Sequence, residues 1–290
     1  MSLSLRFAMA AGLAAAAFAA PGAHAADTHA NQLRVMTFNV RLASGDDGIN
    51  AWPHRRDLMV KTIREEHPDV MGTQELFDVQ GNYVVDHLKN YVWFGIGRNG
   101  YNEDHDDNEH MGVFYNTKRL KLLKSGNFWL SDTPDVPGSS TWGQPFPRMV
   151  TWAEFQMKSS GKRFYYYNTH FPYREQAEAI REKCAEEIAQ RMAKLPQSLP
   201  FVLTGDFNTT PGSHAHAVLT QHLHDAWDSA PKKSGPAHTF HGFTGKATKR
   251  IDWILYRGLT AKDVRTVTTH QGKVYPSDHF PVVADFSWKK

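Results

Sequence analysis

The chain has one cysteine, Cys184, in 290 residues, so it cannot close a disulfide within itself. It also has no block of lysine and arginine. The 33 basic residues against 30 acidic ones leave a formal net charge of +3, dispersed along the chain. That dispersal gives no electrostatic reason for tight nucleic-acid binding, although a short cleft can concentrate positive potential that a net charge hides. Charged residues make up 22 % and aromatics 12 %, which excludes intrinsic disorder over most of the length. Gly-x-Ser-x-Gly, a Walker loop and His-Glu-x-x-His are missing as well. Their absence removes the serine-elbow hydrolases, the P-loop enzymes and the zinc proteases of that motif.

The apolar stretch after Arg6 ends at Ala20, well short of the ~20 residues that a spanning helix needs. Pro21-Gly22-Ala23-His24-Ala25 follows it. One positive charge, a short apolar core and an Ala-x-Ala end form the secretory signal pattern. It predicts cleavage after Ala25 and an exported chain, periplasmic or secreted, with no stable insertion in a membrane. An exported chain without cysteine pairs relies on its core for stability.

Residues 26–290 read as one domain of mixed α/β class, with short strand-like runs alternating with helical patterns. Strands are expected at 33–39, 69–73, 91–96, 111–115, 149–157, 163–169, 200–204, 250–256 and 281–286. Residues 53–66 read as a helix, with Pro53 at a tolerated first position and Leu58, Met59 and Ile63 on one face. Residues 174–195 form the clearest helical pattern, with Ile180, Cys184, Ile188 and Met192 stepping along one face. That stripe assigns the cysteine to the core. The Pro-, Gly- and Ser-rich segment 131–147 reads as a long loop.

Several apolar runs end in a residue able to bind metal or move a proton. Asn39 closes Val35-Met36-Thr37-Phe38-Asn39, and Glu75 closes Asp69-Val70-Met71-Gly72-Thr73-Gln74-Glu75. His170 closes Tyr165-Tyr166-Tyr167-Asn168-Thr169-His170, and Asp206 and Asn208 close Phe201-Val202-Leu203-Thr204-Gly205-Asp206-Phe207-Asn208. Asp252 falls inside a strand, and Asp278-His279 precedes the last one. A carboxylate buried in a strand costs several kcal/mol unless paired, and His279 is its candidate partner. Asn39, Glu75 and Asp278 offer oxygen alone, which suits Mg²⁺ or Mn²⁺ rather than Zn²⁺. Two histidines with carboxylate partners suit proton transfer near neutral pH. Metal-assisted attack of water on phosphorus uses this inventory and needs no covalent nucleophile. The pairs His214-x-His216 and His222-x-His224 do not make a second metal site on a helix, where i and i+2 point apart.

The ordered set resembles the endonuclease/exonuclease/phosphatase superfamily, over residues 33–286. Gly205-Asp206-Phe207-Asn208 together with Ser277-Asp278-His279 and the upstream Asn39 and Glu75 carries the resemblance. It implies a four-layer α/β/β/α sandwich of two packed mixed sheets flanked by helices, with the site at one end of the sheets. It also implies roles. Glu75, with Asn39 and Asp278, would hold the metal; Asp206 and Asn208 would orient the attacking water and the phosphate, Asp206 as a base. His279, steered by Asp252, would contact the phosphoryl oxygen. His170 places the chain with the nuclease-like and deadenylase-like members, in which a Glu pairs with this His; Glu109 is the position to look at. Either histidine could be the acid on family grounds.

The string through Thr209-Thr210-Pro211-Gly212-Ser213, with Gly95-Ile96-Gly97-Arg98 and Thr239-Phe240-His241-Gly242-Phe243, resembles an exported bacterial subgroup of the deadenylase and nocturnin branch. Phe171-Pro172-Tyr173 departs from the Leu-Asp that many relatives carry there. Arg98, Trp142, Arg148 and His241 are substrate-binding candidates in cleft-rim loops, Arg for phosphate and Trp for stacking. The leading expectation is a phosphodiesterase or phosphomonoesterase for a small or lipid-linked phosphoester, such as a phosphorylated sugar, without an obligate protein partner. A secreted nuclease and an inactive binding module are the alternatives. A positive stripe beside the cleft would favour nucleic acid, and a roof formed by 131–147 would favour a small ligand.

Overall fold

Alternation along the strands sorts the apolar side chains into three layers. The computed structural model describes residues 31–101 and 108–289; the expected leader and its cleavage point lie outside them. In chain order the first strands are β1 (Gln32–Asn39), β2 (Val70–Gln74), β3 (Tyr91–Phe94), β4 (Val113–Asn116), β5 (Leu120–Trp129) and β6 (Met149–Met157). Then come β7 (Arg163–His170), β8 (Phe201–Asp206), β9 (His224–Asp225), β10 (Lys232–Ser234), β11 (Asp252–Arg257), β12 (Leu259–Thr266) and β13 (Val282–Trp288). The helices are α1 (Trp52–Glu66), α2 (Asp78–His87), α3 (Glu178–Ala193), α4 (His214–Thr220) and α5 (Ala226–Ser229).

Pairing gives a seven-stranded sheet in the order β10-β12-β13-β1-β2-β4-β3 and a six-stranded sheet in the order β5-β6-β7-β8-β11-β9. Both are mixed. β1 is parallel to β2 and antiparallel to β13, while β8 is parallel to β7 and antiparallel to β11. On β1, Leu33 and Val35 enter the layer between the sheets, beside Phe155, Val202 and Ile254. The intervening Met36 and Phe38 pack outward with Met59 and Ile63 of α1. On the far side of the second sheet, Tyr167, Leu203 and Leu255 meet Cys184, Ile188 and Met192 of α3. The result is the four-layer α/β/β/α sandwich. Burying each large side chain contributes roughly 1.5–3 kcal/mol, which is the source of stability in a chain with no cross-link. Burial also pushes the Cys184 thiol up, so it stays protonated and inert.

The differences from the expected elements have physical causes. β5 carries Lys121 and Lys124 at a sheet edge, and β12 alternates Leu259 and Ala261 with Thr260 and Lys262, so neither reads as an apolar run. α2 holds Gly81 mid-helix, where an added Cβ would stand 2.5 Å from the Trp93 ring. Close packing rather than helix propensity sets that residue. The long helix begins at Glu178 after a 3₁₀ turn (Glu175–Ala177). β2 and β8 run on to Gln74 and Asp206, so both polar groups belong to strands rather than to the turns after them.

Gly72 on β2 marks where the two sheets approach most tightly on the way to the polar end. A Cβ there would lie 2.3 Å from both Asn168 Oδ1 and Thr204 Oγ1. Neither atom is free to retreat, because Gln74 Nε2 and Thr204 Oγ1 both donate to Asn168 Oδ1, at 2.7 and 3.1 Å. Gly72→Ala is expected to cost about 2–3 kcal/mol and lower the thermal midpoint by about 5 °C or more. A midpoint within about 1 °C of the parent would mean the sheets yield at this contact.

Candidate active site

The inner faces of the strands change character at one end of the sandwich. The positions that carry Leu33 and Val35 on β1 continue, two residues at a time, to Thr37 and Asn39. On β7, Phe164 and Tyr166 give way to Asn168 and His170; on β8, Val202 gives way to Thr204 and Asp206. Asp252 opens β11 on the same face. Strand register alone therefore brings three groups side by side, since Asp206 pairs with His170 on one flank and with Asp252 on the other. Beneath them, Gln74, Asn168 and Thr204 form a hydrogen-bonded floor, and Asn168 Nδ2 also donates to the carbonyls of Thr73 and Gly112, while Gln74 Oε1 has no partner. The bonds that are made link the two sheets and support the groups above them.

Asp206 is the hub. Its Oδ2 accepts Asn39 Nδ2 at 3.0 Å and lies 3.5 Å from His170 Nε2 and 3.8 Å from His279 Nε2. Its Oδ1 accepts the backbone N–H of Asn208 at 2.9 Å. Asn39 Nδ2 also donates to Glu75 Oε1 at 3.0 Å, tying the two carboxylates together. His279 Nδ1 bonds Asp252 Oδ2 at 2.9 Å, which aims Nε2 at the cleft. His170 Nδ1 faces Glu109 Oε2 at 3.7 Å, and that carboxylate is 2.8 Å from Arg98. Three side chains here stand on left-handed backbone: Arg41 (φ 55°), Glu75 (φ 57°) and Asn208 (φ 50°). At Glu75 this turn breaks the strand alternation and carries the carboxylate into the cleft. Strain of this kind is confined to places where the surroundings over-determine it.

Burial opposes charge on both rings, and their neighbours decide the outcome differently. For His279, Asp252, Asp206 and Asp278 more than offset burial, and the ring is held well above the ordinary imidazole range. For His170, burial and then Arg148 prevail, and its pKa falls to about 3, leaving a neutral ring. Two imidazoles on one carboxylate are thus pushed in opposite directions. Burial and then Asp252 raise Asp206; burial also raises Asp278, with Glu75 adding to it and His279 opposing it.

These groups line a cleft of about 780 Å³. Against this geometry stand the known proteins. The family model described as "Endonuclease/Exonuclease/phosphatase family" matches residues 36–279. The chain belongs to that family. A family member of known structure from Bacteroides thetaiotaomicron is 30 % identical with a TM-score of 0.82, covering 89 % of this chain and 98 % of its own. A mannosyl-6-phosphatase from the same organism is 29 % identical with a TM-score of 0.82, covering 88 % and 100 %. Human nocturnin is 24 % identical over 88 % of this chain, which spans 65 % of that relative's length.

Members of the endonuclease/exonuclease/phosphatase family are divalent-metal-dependent phosphoesterases. The donors present fit such a cation. Glu75, Asp206 and Asp278 are three carboxylates lining one cleft, Asp206 raised by burial and Asp252, and Asp278 raised by burial and Glu75; a hard cation relieves that arrangement. Glu75 and Asp278, both lining this cleft, are the candidate ligands. Asp206, Asp252 and His279 also place ligand atoms within 4.8 Å of one another. The bond between His279 and Asp252 commits those two to each other, so we assign them to proton handling. Asn39, expected among the ligands, meets the carboxylates through its nitrogen, and its oxygen accepts the Arg41 N–H at 3.0 Å.

Arg98 and Arg148 line the cleft, and Arg148 is buried with Nη1 lacking a hydrogen-bond partner. Two other expected contacts are corrected. Trp142 lies on a separate groove against α3, with Nε1 donating to Asp132 at 2.7 Å and the ring 5.7 Å from Lys183 Nζ. The segment carrying it is folded down by bonds such as Ser131 to Ser139, so of 131–147 only Phe146 reaches the cleft and no roof forms. His241 stacks on Phe280 at 4.0 Å, behind His279, and does not line the cleft. Arg41, Tyr173, Thr209, Thr210, Phe240 and Lys249 line it without having been singled out. Two signals were available for them: Thr209 and Thr210 directly follow Asn208, and Tyr173 ends the string that departs from the relatives.

Proposed function

We propose that the chain is an exported phosphoesterase that uses Mg²⁺ or Mn²⁺ to hydrolyse a small phosphorylated substrate, a sugar phosphate or a phosphorylated lipid head group. The observation that carries the substrate class is the charge state of the cleft wall. Of its basic side chains, Arg41 is paired with Asp47, Arg98 with Glu109 and Arg181 with Glu178, leaving Arg148 and Lys249 to meet an anion. Two cations suit one phosphoryl group better than a polymer track. The volume lies in the range of small-molecule sites, and Tyr173, Glu175, Thr209 and Thr210 at the mouth suit a hydroxylated body. The similarity to a mannosyl-6-phosphatase supports the same reading. The N-terminal signal pattern supports export, and no helix among the described residues is long and apolar enough to cross a membrane. A second reading, a secreted nuclease, draws on the Tyr173 ring, 53 % exposed and free to stack on a base.

A cation held by Glu75 and Asp278 would neutralise charge on the phosphoryl and leaving oxygens. Asp206 then accepts the proton of the attacking water, in line with the phosphorus, while Asn208 orients it. His279, fixed through Nδ1 by Asp252, hydrogen-bonds a phosphoryl oxygen from Nε2; as the water oxygen bonds to phosphorus, the bond to the leaving oxygen breaks, that oxygen takes a proton from solvent, and Asp206 returns its proton to solvent. His170, neutral, lies beside Asp206 on its other flank, with Glu109 behind it 3.7 Å from Nδ1. The test is hydrolysis of hexose 6-phosphates beside mixed single-stranded RNA and DNA. Sugar-phosphate turnover with intact polymer is expected; polymer degradation by the wild type alone would establish the nuclease instead. EDTA should abolish the activity and added Mg²⁺ or Mn²⁺ restore it, and turnover indifferent to chelation would remove the metal assignment.

A further inference from the structure

Arg55, on α1, is wholly buried, yet the carboxylates of the site do not ion-pair with it directly. Its guanidinium is instead spent on backbone. Nη1 donates to the carbonyls of Val40 at 2.7 Å and Pro276 at 2.9 Å. Nη2 donates to those of Arg41 at 2.7 Å and Leu42 at 3.3 Å. Three of these carbonyls belong to the segment leaving β1 and the fourth to the segment before β13, 221 residues away from Arg55 in sequence. Both segments contribute to the wall of the same cleft, through Arg41 and Leu42 on one side and Asp278 on the other. The first carries the Leu42 N–H that holds Glu75 Oε2 at 3.2 Å, and the second carries Asp278. Ser277 Oγ ties the same pair once more, donating to the Asn39 carbonyl at 2.6 Å. A lysine has neither the planar fork nor the reach to engage four carbonyls at once.

We propose that Arg55 is a positioning residue for the metal centre: its guanidinium sets the separation of Glu75 and Asp278 by clamping the backbone segments that carry or brace them. This rests on the reading of Glu75 and Asp278 as the ligands. Two physical effects of Arg55 on a bound cation oppose each other, which makes the proposal testable. As a buried positive charge it repels the cation, so its removal alone would tighten binding. As a clamp it preorganises the ligands, and its removal loosens binding by ~10- to 100-fold, the usual effect of losing a partner behind the ligands.

The experiment is a Mn²⁺ titration of the purified full chain by electron paramagnetic resonance, without substrate, on Arg55→Met, Arg55→Lys and Glu75→Gln. Folding is checked by circular dichroism. Weakening of Mn²⁺ binding by tenfold or more in both Arg55 variants, with kcat at saturating Mn²⁺ less affected, is the expected result. Unchanged or tighter binding in Arg55→Met overturns the clamp while the ligand assignment stands, provided that Glu75→Gln abolishes binding. If Glu75→Gln binds like the wild type, the ligand assignment falls and the proposal with it. Ser277→Ala removes a second tie between the same segments without changing charge, and it decides the matter if the Arg55 variants do not fold. Its Mn²⁺ affinity should fall about threefold, short of the full effect of a lost outer partner, and an unchanged affinity overturns the proposal.

Discussion

Asp206→Asn is expected to lower kcat by about 10⁴-fold, the upper end of what a proton-transfer group contributes, while the protein becomes more stable. The substitution keeps shape, but the carboxylate takes Asn39 Nδ2 on one oxygen and the Asn208 N–H on the other, so the single amide oxygen keeps one of these bonds and loses the other, a cost smaller than that of a buried charge. What it removes is the negative charge between His170 and His279, and with it the group placed to take a proton from water. The stability half follows from sign. Burial and Asp252 raise Asp206 above the ordinary carboxylate range, so the folded state binds its proton more tightly than the unfolded chain does. Keeping the group ionised at neutral pH therefore works against folding, and the neutral amide relieves that cost. A single preparation of the variant tests both halves, with steady-state turnover under saturating Mg²⁺ and a thermal melt. A loss smaller than tenfold would take Asp206 out of the reaction, and a lower midpoint would mean its charge helps hold the sandwich together.

The same carboxylate shows what a sequence can and cannot disclose. That Asp206 ends an apolar run was readable, because Phe201, Val202 and Leu203 fix the run and Gly205-Asp206 breaks it before Phe207. Its neighbours came by register: once β7, β8 and β11 pair, His170 and Asp252 must flank it. The dyad of Asp252 and His279 was legible for a different reason, since a carboxylate in a strand needs a partner and few candidates existed. Arg55 was not legible. An arginine beside Arg56 on an amphipathic helix reads as a solvated face, and only the tertiary meeting of residues 40–42 with 276 reveals its use. Glu75 was named for its chemistry, but strand alternation would have pointed it outward; the left-handed turn that re-aims it has no signature in Gln74-Glu75-Leu76. Trp142 failed for the opposite reason. Its chemistry suited stacking, and a local hydrogen bond to Asp132 and the Lys183 ammonium over its ring had already used it. β5 and β12 escaped because exposed positions along them carry lysines that dilute the apolar pattern, although both belong to the sheets that frame the site.

His279→Ala should cost ~10³-fold or more in kcat/KM, and the more informative comparison is with Asp252→Asn. If Asp252 acts only by fixing the ring and favouring its protonated form, then Asp252→Asn should lose about 10²- to 10³-fold. The double variant should then be no slower than His279→Ala alone, because an orienting group has nothing left to orient. A structural role makes a different prediction. Asp252 is buried with Oδ1 lacking a hydrogen-bond partner, so a residue serving mainly to hold β11 against β8 would show its loss in the thermal midpoint and add independently to His279→Ala. The geometry decides between these in advance: the 2.9 Å bond from Asp252 goes to Nδ1 of His279 and to no strand neighbour's side chain, so the catalytic losses should be strongly non-additive and the midpoints close to the parent. Additive rate losses, or an Asp252→Asn protein that melts early yet turns over normally in its folded fraction, would break the link between the dyad and the reaction and leave His279 to act without it.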